Sequence, residues 1–211
     1  DTDNSAFTVD GDELKIDASP DYETQSSYNI RLQTTDADGA SYEKEVSFSV
    51  NNSPDDLNLS ASDFDENINA TSVVATLSTT DQDGDSNHTY SLVSGDGDTD
   101  NSAFTVDGDE LKIDALPDYE NQSSYNIRLQ TTDADGASYE KQVSFSVNDI
   151  NDTPTDISLS SSDFDENIAA DSVISTLSTA DDDAGDTHTY SLVSGDGDTD
   201  NSAFTVDGDE L

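Results

Sequence analysis

Closely spaced aspartates recur at matching places in this chain, and their chemistry is the easiest to interpret. Asp81-Gln-Asp83 and Asp181-Asp-Asp183 occupy equivalent positions in two copies of a repeat, and only the middle residue differs between them. Two carboxylates separated by one intervening residue lie on the same side of a strand, or they are brought close together in a loop. Carboxylate oxygens are the hard ligands that calcium prefers, and calcium takes about six to eight oxygens in flexible geometry. The spacing therefore indicates cation binding, with calcium as the expected ion.

The overall charge narrows the classes of partner. The chain has 49 Asp and Glu against 6 Lys and Arg, which gives a formal net charge of −43. Such a surface repels nucleic acid and anionic membranes, so neither is an expected partner. Acidity can also serve solvation in salty surroundings, or mark disorder. The regular alternation of apolar residues argues against disorder, and clustering at ligand-like positions favours cation binding over solvation.

The absence of certain residue types limits the chemistry that the chain is expected to have. There is no Cys, so neither disulfides nor thiol chemistry are expected, and there is no Met. No apolar run approaches the roughly 20 residues that a transmembrane helix needs. We interpret the chain as an internal segment of a longer array, with any targeting signal outside it.

The largest pattern is a repeat of domain size. The segment DTDNSAFTVDGDEL begins at Asp1, Asp98 and Asp198, so its copies are 97 and 100 residues apart. Residues 15–50 and 112–147 differ at three positions, and 53–97 and 153–197 differ at 15 of 45. Solenoid turns and propeller blades repeat at roughly 20–50 residues. The period therefore predicts a string of similar globular domains.

Strand patterns dominate each repeat. Apolar residues alternate with polar ones through 125–131 and 140–147, and Asp107-Gly108 is a dipeptide that tight hairpin turns prefer. The predicted strands lie in 57–59, 72–77, 88–93, the hairpin 103–113, 125–131 and 140–147. About seven short strands in about 100 residues are typical of an antiparallel β-sandwich. We therefore predict an all-β chain of tandem seven-stranded Greek-key sandwiches.

Prolines mark the expected domain boundaries. Pro54 and Pro154 each follow a polar stretch and precede a new strand, where a fixed φ and a missing N–H are tolerated. Residues 53–152 are predicted to form a complete domain, 1–52 the second half of a preceding one, and 153–211 the first half of a following one. Neighbouring sequence, or the tail of one molecule meeting the head of another, would complete the halves.

Five short elements together resemble cadherin repeats, in that family's order. Asp65-Glu66-Asn67 resembles the Glu-Asn element, and Pro117-Asp118-Tyr119-Glu120 the Leu-Asp-Arg-Glu element. Residues 132–136 (Thr-Asp-Ala-Asp-Gly) resemble the Ala-x-Asp-x-Gly motif, and 181–183 the Asp-x-Asp motif. Residues 149–154 (Asp-Ile-Asn-Asp-Thr-Pro) resemble the Asp-x-Asn-Asp-Asn-x-Pro linker, one residue shorter and with Thr153 for the second Asn.

The resemblance implies a calcium-binding junction between successive domains. At the second junction the implied ligands are the side chains of Glu66, Asp118, Glu120, Asp149 and Asp152, the backbone carbonyl of Asn151, and Asp181 and Asp183 from the next domain. At the first junction they are Asp21, Glu23, Asp81, Asp83 and Asp133. There 50–54 (Val-Asn-Asn-Ser-Pro) replaces 147–154, so both linker aspartates are missing. We therefore expect fewer or weaker calcium sites at the first junction.

The expected function is structural. The repeats are similar to cadherin-like extender domains of large secreted bacterial surface adhesins of the RTX type, which calcium would stiffen for cell adhesion or biofilm formation. The expected partners are neighbouring repeats, other copies of the chain or surface glycans. Two alternatives remain: a carbohydrate-binding module, for which Tyr119 and Tyr139 are the candidate aromatics, and a homophilic adhesion domain. Enzymatic activity is not expected, because there is no Cys nucleophile and no triad pattern surrounds His88 and His188.

Overall fold

The computed structural model describes residues 3–84 and 87–211, and its regular structure is β-strand. No α-helix occurs among these residues, and none of their helical turns is long or apolar enough to cross a membrane. The strands are β1 (Phe7–Asp10), β2 (Glu13–Ile16), β3 (Ser27–Thr35), β4 (Ser41–Ser49), β5 (Asp56–Leu59), β6 (Asp63–Asp65), β7 (Val73–Thr80), β8 (Thr89–Leu92), β9 (Phe104–Asp107), β10 (Glu110–Ile113), β11 (Ser124–Thr132), β12 (Ser138–Asn148), β13 (Asp156–Leu159) and β14 (Leu177–Ala180).

The chain divides into two compact units. The first contains 1–118 and 122–148, and the second contains 119–121 and 149–211. The first unit holds the hairpins β1–β2 and β3–β4 together with strands β5 to β12, and the second holds the pair β13–β14. The boundaries expected from the sequence, at 52/53 and 152/153, stay a prediction.

Strands β5 to β12 form two four-stranded sheets. One has the order β5-β7-β10-β9 and the other the order β6-β12-β11-β8. All neighbours are antiparallel except β6 and β12, which are parallel. The predicted all-β sandwich is confirmed. Strand β5 agrees with the strand predicted at 57–59. Residues 60–62 then carry the chain to the other sheet, where β6 forms. Sequence analysis missed β6, since three residues with one apolar side chain give no alternation to read.

Alternating burial explains the long strands and the core. Along β11, Tyr125, Ile127, Leu129 and Thr131 are buried and the residues between them are more exposed, as expected for a strand with one face on a core. The β9–β10 hairpin turns through Gly108, whose φ of 65° is the left-handed conformation that such turns require.

Four aromatic rings form the centre of this core. Phe64, Tyr125 and Phe145 extend from one sheet and Phe104 from the other, and their contacting ring centroids lie 5.4 to 6.3 Å apart. Tyr125 meets Phe104 edge-on, an arrangement favoured by aromatic quadrupoles. The two sheets are therefore held by side chains that come from widely separated parts of the repeat.

Candidate metal centre

Three carboxylates converge in the second unit. Glu120, Asp149 and Asp183 each offer one carboxylate oxygen, and these oxygens lie within 4.8 Å of one another. Glu120 and Asp149 are exposed and Asp183 is half-buried. Three negative oxygens at this separation repel one another, and they are of the type that a calcium ion takes from protein side chains. This group is the strongest candidate metal centre in the described part of the chain.

Local hydrogen bonds set the position of Asp183. Its own N–H lies 3.3 Å from Asp181 Oδ1, and its Oδ2 accepts a short hydrogen bond from the N–H of Asp152. The second of these ties the linker to the turn that follows β14. Asn151 is exposed, and its amide donates to the carbonyl of Asp152 at 2.6 Å. Asp152 is therefore joined to Asp183 through its backbone N–H, and Asp181 is joined to it through its side chain.

A histidine supports this turn. His188 Nε2 lies 2.8 Å from Asp181 Oδ2, and this hydrogen bond holds the pKa of Asp181 below its ordinary value. The equivalent atoms of His88 and Asp81 are 3.1 Å apart, with both side chains largely buried. Sequence analysis missed the pairing, although the same seven-residue separation in both copies could have suggested it. An aspartate kept charged and fixed in orientation is prepared to face a cation.

A pair of neighbouring carboxylates lies in the first unit. Glu66 is buried, and one of its carboxylate oxygens lies within 4.8 Å of an oxygen of Asp118. The backbone explains the approach: the N–H of Asn67, which has a φ of 58°, donates to the carbonyl of Pro117 at 3.0 Å. Burying a carboxylate beside another negative group is costly unless positive charge compensates. Both side chains offer carboxylate oxygens, the kind of ligand that a hard cation such as calcium binds.

The residues expected at the first junction are arranged differently. Asp83 Oδ2 accepts from the N–H of Asn52 at 2.8 Å, as its counterpart Asp183 does from Asp152. Asp133 Oδ2 accepts from the side-chain amide of Asn51 at 2.9 Å. Its Oδ1 accepts from three backbone N–H groups, those of residues 135, 136 and 137, at 2.6 to 2.9 Å. Protein donors thus contact both carboxylate oxygens of Asp133.

The pKa of Asp133 reflects these donors. Burial raises the pKa of this carboxyl, but the hydrogen bonds from Asn51 and from the three backbone amides outweigh burial, so the pKa is lowered. The charged form is therefore stabilised by the protein itself. Asn51, which lacks the charge of a linker aspartate, is one of the donors that stabilise the Asp133 carboxylate.

Asp21 and Glu23 are both exposed. Asp21 accepts from the hydroxyl of Thr24 at 2.8 Å and from the N–H of Glu23 at 3.1 Å, and the bond from Thr24 lowers its pKa. Within residues 3–84 and 87–211, no trio of ligand carboxylates forms from the five aspartates and glutamates expected at the first junction. The ligand roles of all the residues implied by the resemblance stay a prediction.

Two aspartates of the loop before β9 accept hydrogen bonds from backbone N–H groups. Asp98 Oδ2 accepts from the N–H of Gly95 at 3.0 Å, and Asp100 accepts from the N–H of Asn126 at 2.7 Å. Asp98 therefore closes a turn within the loop before β9, and Asp100 holds that loop against β11. Tyr119 and Tyr139, the candidate glycan-binding aromatics, are both half-buried.

Comparison with solved structures finds extracellular domains of cadherin-type proteins that are similar to this chain. No protein-family model matches it. Similar solved structures include the protocadherin gamma B4 extracellular domain (22% identity, 97% of this chain and 35% of that chain, TM-score 0.48) and protocadherin gamma B2 extracellular cadherin domains 1–5 (20%, 82% and 35%, 0.47). The human desmocollin-1 ectodomain is another (18%, 92% and 41%, 0.47). The chain spans less than half the length of each of these structures.

Proposed function

We propose that this chain is a calcium-binding spacer segment of a large extracellular adhesin. The observation that carries the proposal is the convergence of Glu120, Asp149 and Asp183 within 4.8 Å, which the buried Glu66 beside Asp118 accompanies. Carboxylates in a trio repel when empty, and a divalent ion neutralises and joins them. The resemblance to cadherin linkers suggests that such ions stiffen the joins between repeats.

Composition supports an extracellular, non-enzymatic role in this proposal. A charge of −43 on 211 residues gives a chain that stays soluble and self-repelling, and bound calcium reduces that repulsion. Calcium is abundant outside cells, where a spacer holding a binding tip away from a bacterial surface, or joining cells in a biofilm, would work. The proposal extends to an RTX-type adhesin and assigns the repeats no catalytic step.

Thermal unfolding with calcium and with chelator tests the proposal. We expect the melting temperature to rise with calcium concentration, because an ion that binds the folded state stabilises it by about 2.7 kcal/mol at one hundred times its Kd. Magnesium is expected to stabilise less, since it demands near-octahedral geometry and gives up water reluctantly. A melting temperature that responds equally to calcium, magnesium and sodium at matched ionic strength would overturn the proposal.

A further inference from the structure

The segment that leads from β4 to β5 carries no charge. It consists of residues 50–54 (Val-Asn-Asn-Ser-Pro) and is here called the first linker. The corresponding second linker, residues 147–154, contains Asp149 and Asp152. A neutral segment approaches carboxylates without like-charge repulsion, whereas an acidic one does not. The first linker can therefore contact the acidic turns of the complete sandwich (strands β5 to β12) through its own polar groups.

Both asparagines of the first linker donate hydrogen bonds to carboxylates of the sandwich. The side-chain amide of Asn51 donates to Asp133 Oδ2 at 2.9 Å, and the backbone N–H of Asn52 donates to Asp83 Oδ2 at 2.8 Å. An ionised carboxylate can only accept, so each bond has a neutral donor and a charged acceptor. Bonds of this kind are roughly twice as strong as those between neutral groups. The linker thus supplies the donors and the sandwich supplies the charges.

Further contacts extend this attachment on both sides of the asparagines. Pro54 is buried, and the N–H of Asp55 donates to the carbonyl of Thr80, the last residue of β7, at 2.8 Å. Upstream of the linker, the hydroxyl of Tyr22 donates to the carbonyl of Gln82 at 3.4 Å. All of these residues belong to the first unit. The chain before β5 is therefore attached to the end of β7 and to the turn that follows it.

The two accepting carboxylates are held in position by the sandwich itself. Oδ1 of Asp133 accepts from the N–H groups of residues 135–137, in the turn after β11. The N–H of Asp83 lies 3.4 Å from Asp81 Oδ1, and Asp81 Oδ2 lies 3.1 Å from His88 Nε2. The side chains of Asp81 and His88 are 1% and 6% exposed, so this support is buried. The linker therefore contacts acceptors whose positions are already fixed.

We propose that Asn51 and Asn52 hold the first linker on the complete sandwich without a cation, so that the linker stays docked when calcium is removed. The proposal goes beyond the calcium-binding spacer, because it does not need the carboxylate trio to bind an ion. Under the proposed function, chelation loosens the second linker and leaves the first one docked. Repeats of nearly the same sequence would then be joined in two ways, and the residues of the linker decide which.

Amide hydrogen exchange of the full chain, with calcium and with chelator, tests the proposal. The N–H of Asn52 is the reporter, because it donates to Asp83 while the linker is docked. Exchange of such an amide requires local opening. We expect the Asn52 N–H to exchange slowly, and at similar rates, in both conditions. Exchange at the rate of an unstructured amide when chelator is present would overturn the proposal.

Replacing Asn51 by aspartate should make docking of the first linker depend on calcium. With chelator we expect the Asn52 N–H to exchange about tenfold faster, because repulsion between two carboxylates replaces a hydrogen bond to a charged group. Calcium should slow the exchange again, since it can join both carboxylates. Ser53→Asp is the matched control, because it adds the same charge at an exposed residue of the same linker and should change the rate little. Equal acceleration by both variants contradicts the proposal.

Asn51→Ala removes the donor without adding charge, so its effect should be the same with calcium and with chelator. Asn51 is exposed, and the amides of β11 and β12 in the same measurement check that the sandwich stays folded. An Asn51→Ala chain that exchanges like the unsubstituted one contradicts the proposal. A first linker that stays docked in a chain whose melting temperature ignores calcium supports this proposal and contradicts the calcium-binding function, so the two fail separately.

Discussion

Replacing Asp183 by asparagine is expected to weaken calcium binding on the order of tenfold to a hundredfold, since calcium affinity depends on the number of charged ligands. The amide keeps an oxygen that can accept the N–H of Asp152, so the turn is preserved. What is lost is one of three negative charges within 4.8 Å. Without calcium the same change relieves repulsion, so with chelator the variant should melt no lower than the unsubstituted chain.

Asp83→Asn is the matched control for this change. Asp83 accepts the N–H of Asn52 as Asp183 accepts that of Asp152, and it belongs to no carboxylate trio within the described residues. We expect its calcium affinity to fall much less. Calcium titrations of both variants, followed by melting temperature, separate a specific site from general acidity. Equal losses in the two variants would show that net charge, and not this group, determines binding.

Truncating Phe145 to alanine is expected to destabilise the complete sandwich by about 3–5 kcal/mol, the usual cost of removing a buried phenylalanine. Phe145 contacts the rings of both Phe64 and Phe104, so the cavity opens between the two sheets. A domain is typically stable by about 5–15 kcal/mol, and the loss is a large share of that. Denaturant unfolding followed by circular dichroism measures it.

Phe48→Ala provides the comparison, because Phe48 is the exposed counterpart of Phe145 in β4. Because Phe48 is 39% exposed, we expect its truncation to cost far less. Similar losses for both variants in dilute solution would mean that the aromatic cluster is not what joins the sheets.

Much of the fold could be predicted because its causes are local. The alternation through Tyr125, Ile127 and Leu129 indicates β11 directly, and Asp107-Gly108 indicates the hairpin before it. Strand β6 is different, because Asp63–Asp65 becomes a strand only through pairing with β12, some 80 residues further along. The passage of the chain from β5 in one sheet to β6 in the other is thus a property of the folded sandwich.

The candidate site shows the same contrast. The trio of Glu120, Asp149 and Asp183 could be proposed from motif order, and the structure places their oxygens together. The bond from Asn51 to Asp133 could not, because it joins residues 82 positions apart and an amide carries no charge pattern to read. The weaker first junction, expected from the missing linker aspartates, stays a prediction.

Calorimetric titration of calcium into the full chain tests the central claim most directly. The account predicts a saturable isotherm that persists at physiological ionic strength, exceeds that of magnesium, and is lost when Glu120→Gln, Asp149→Asn and Asp183→Asn are combined. Weak uptake that never saturates, is equal for both cations and disappears as salt is added would contradict it. That result would mean that calcium only accompanies the −43 charges as a diffuse counterion.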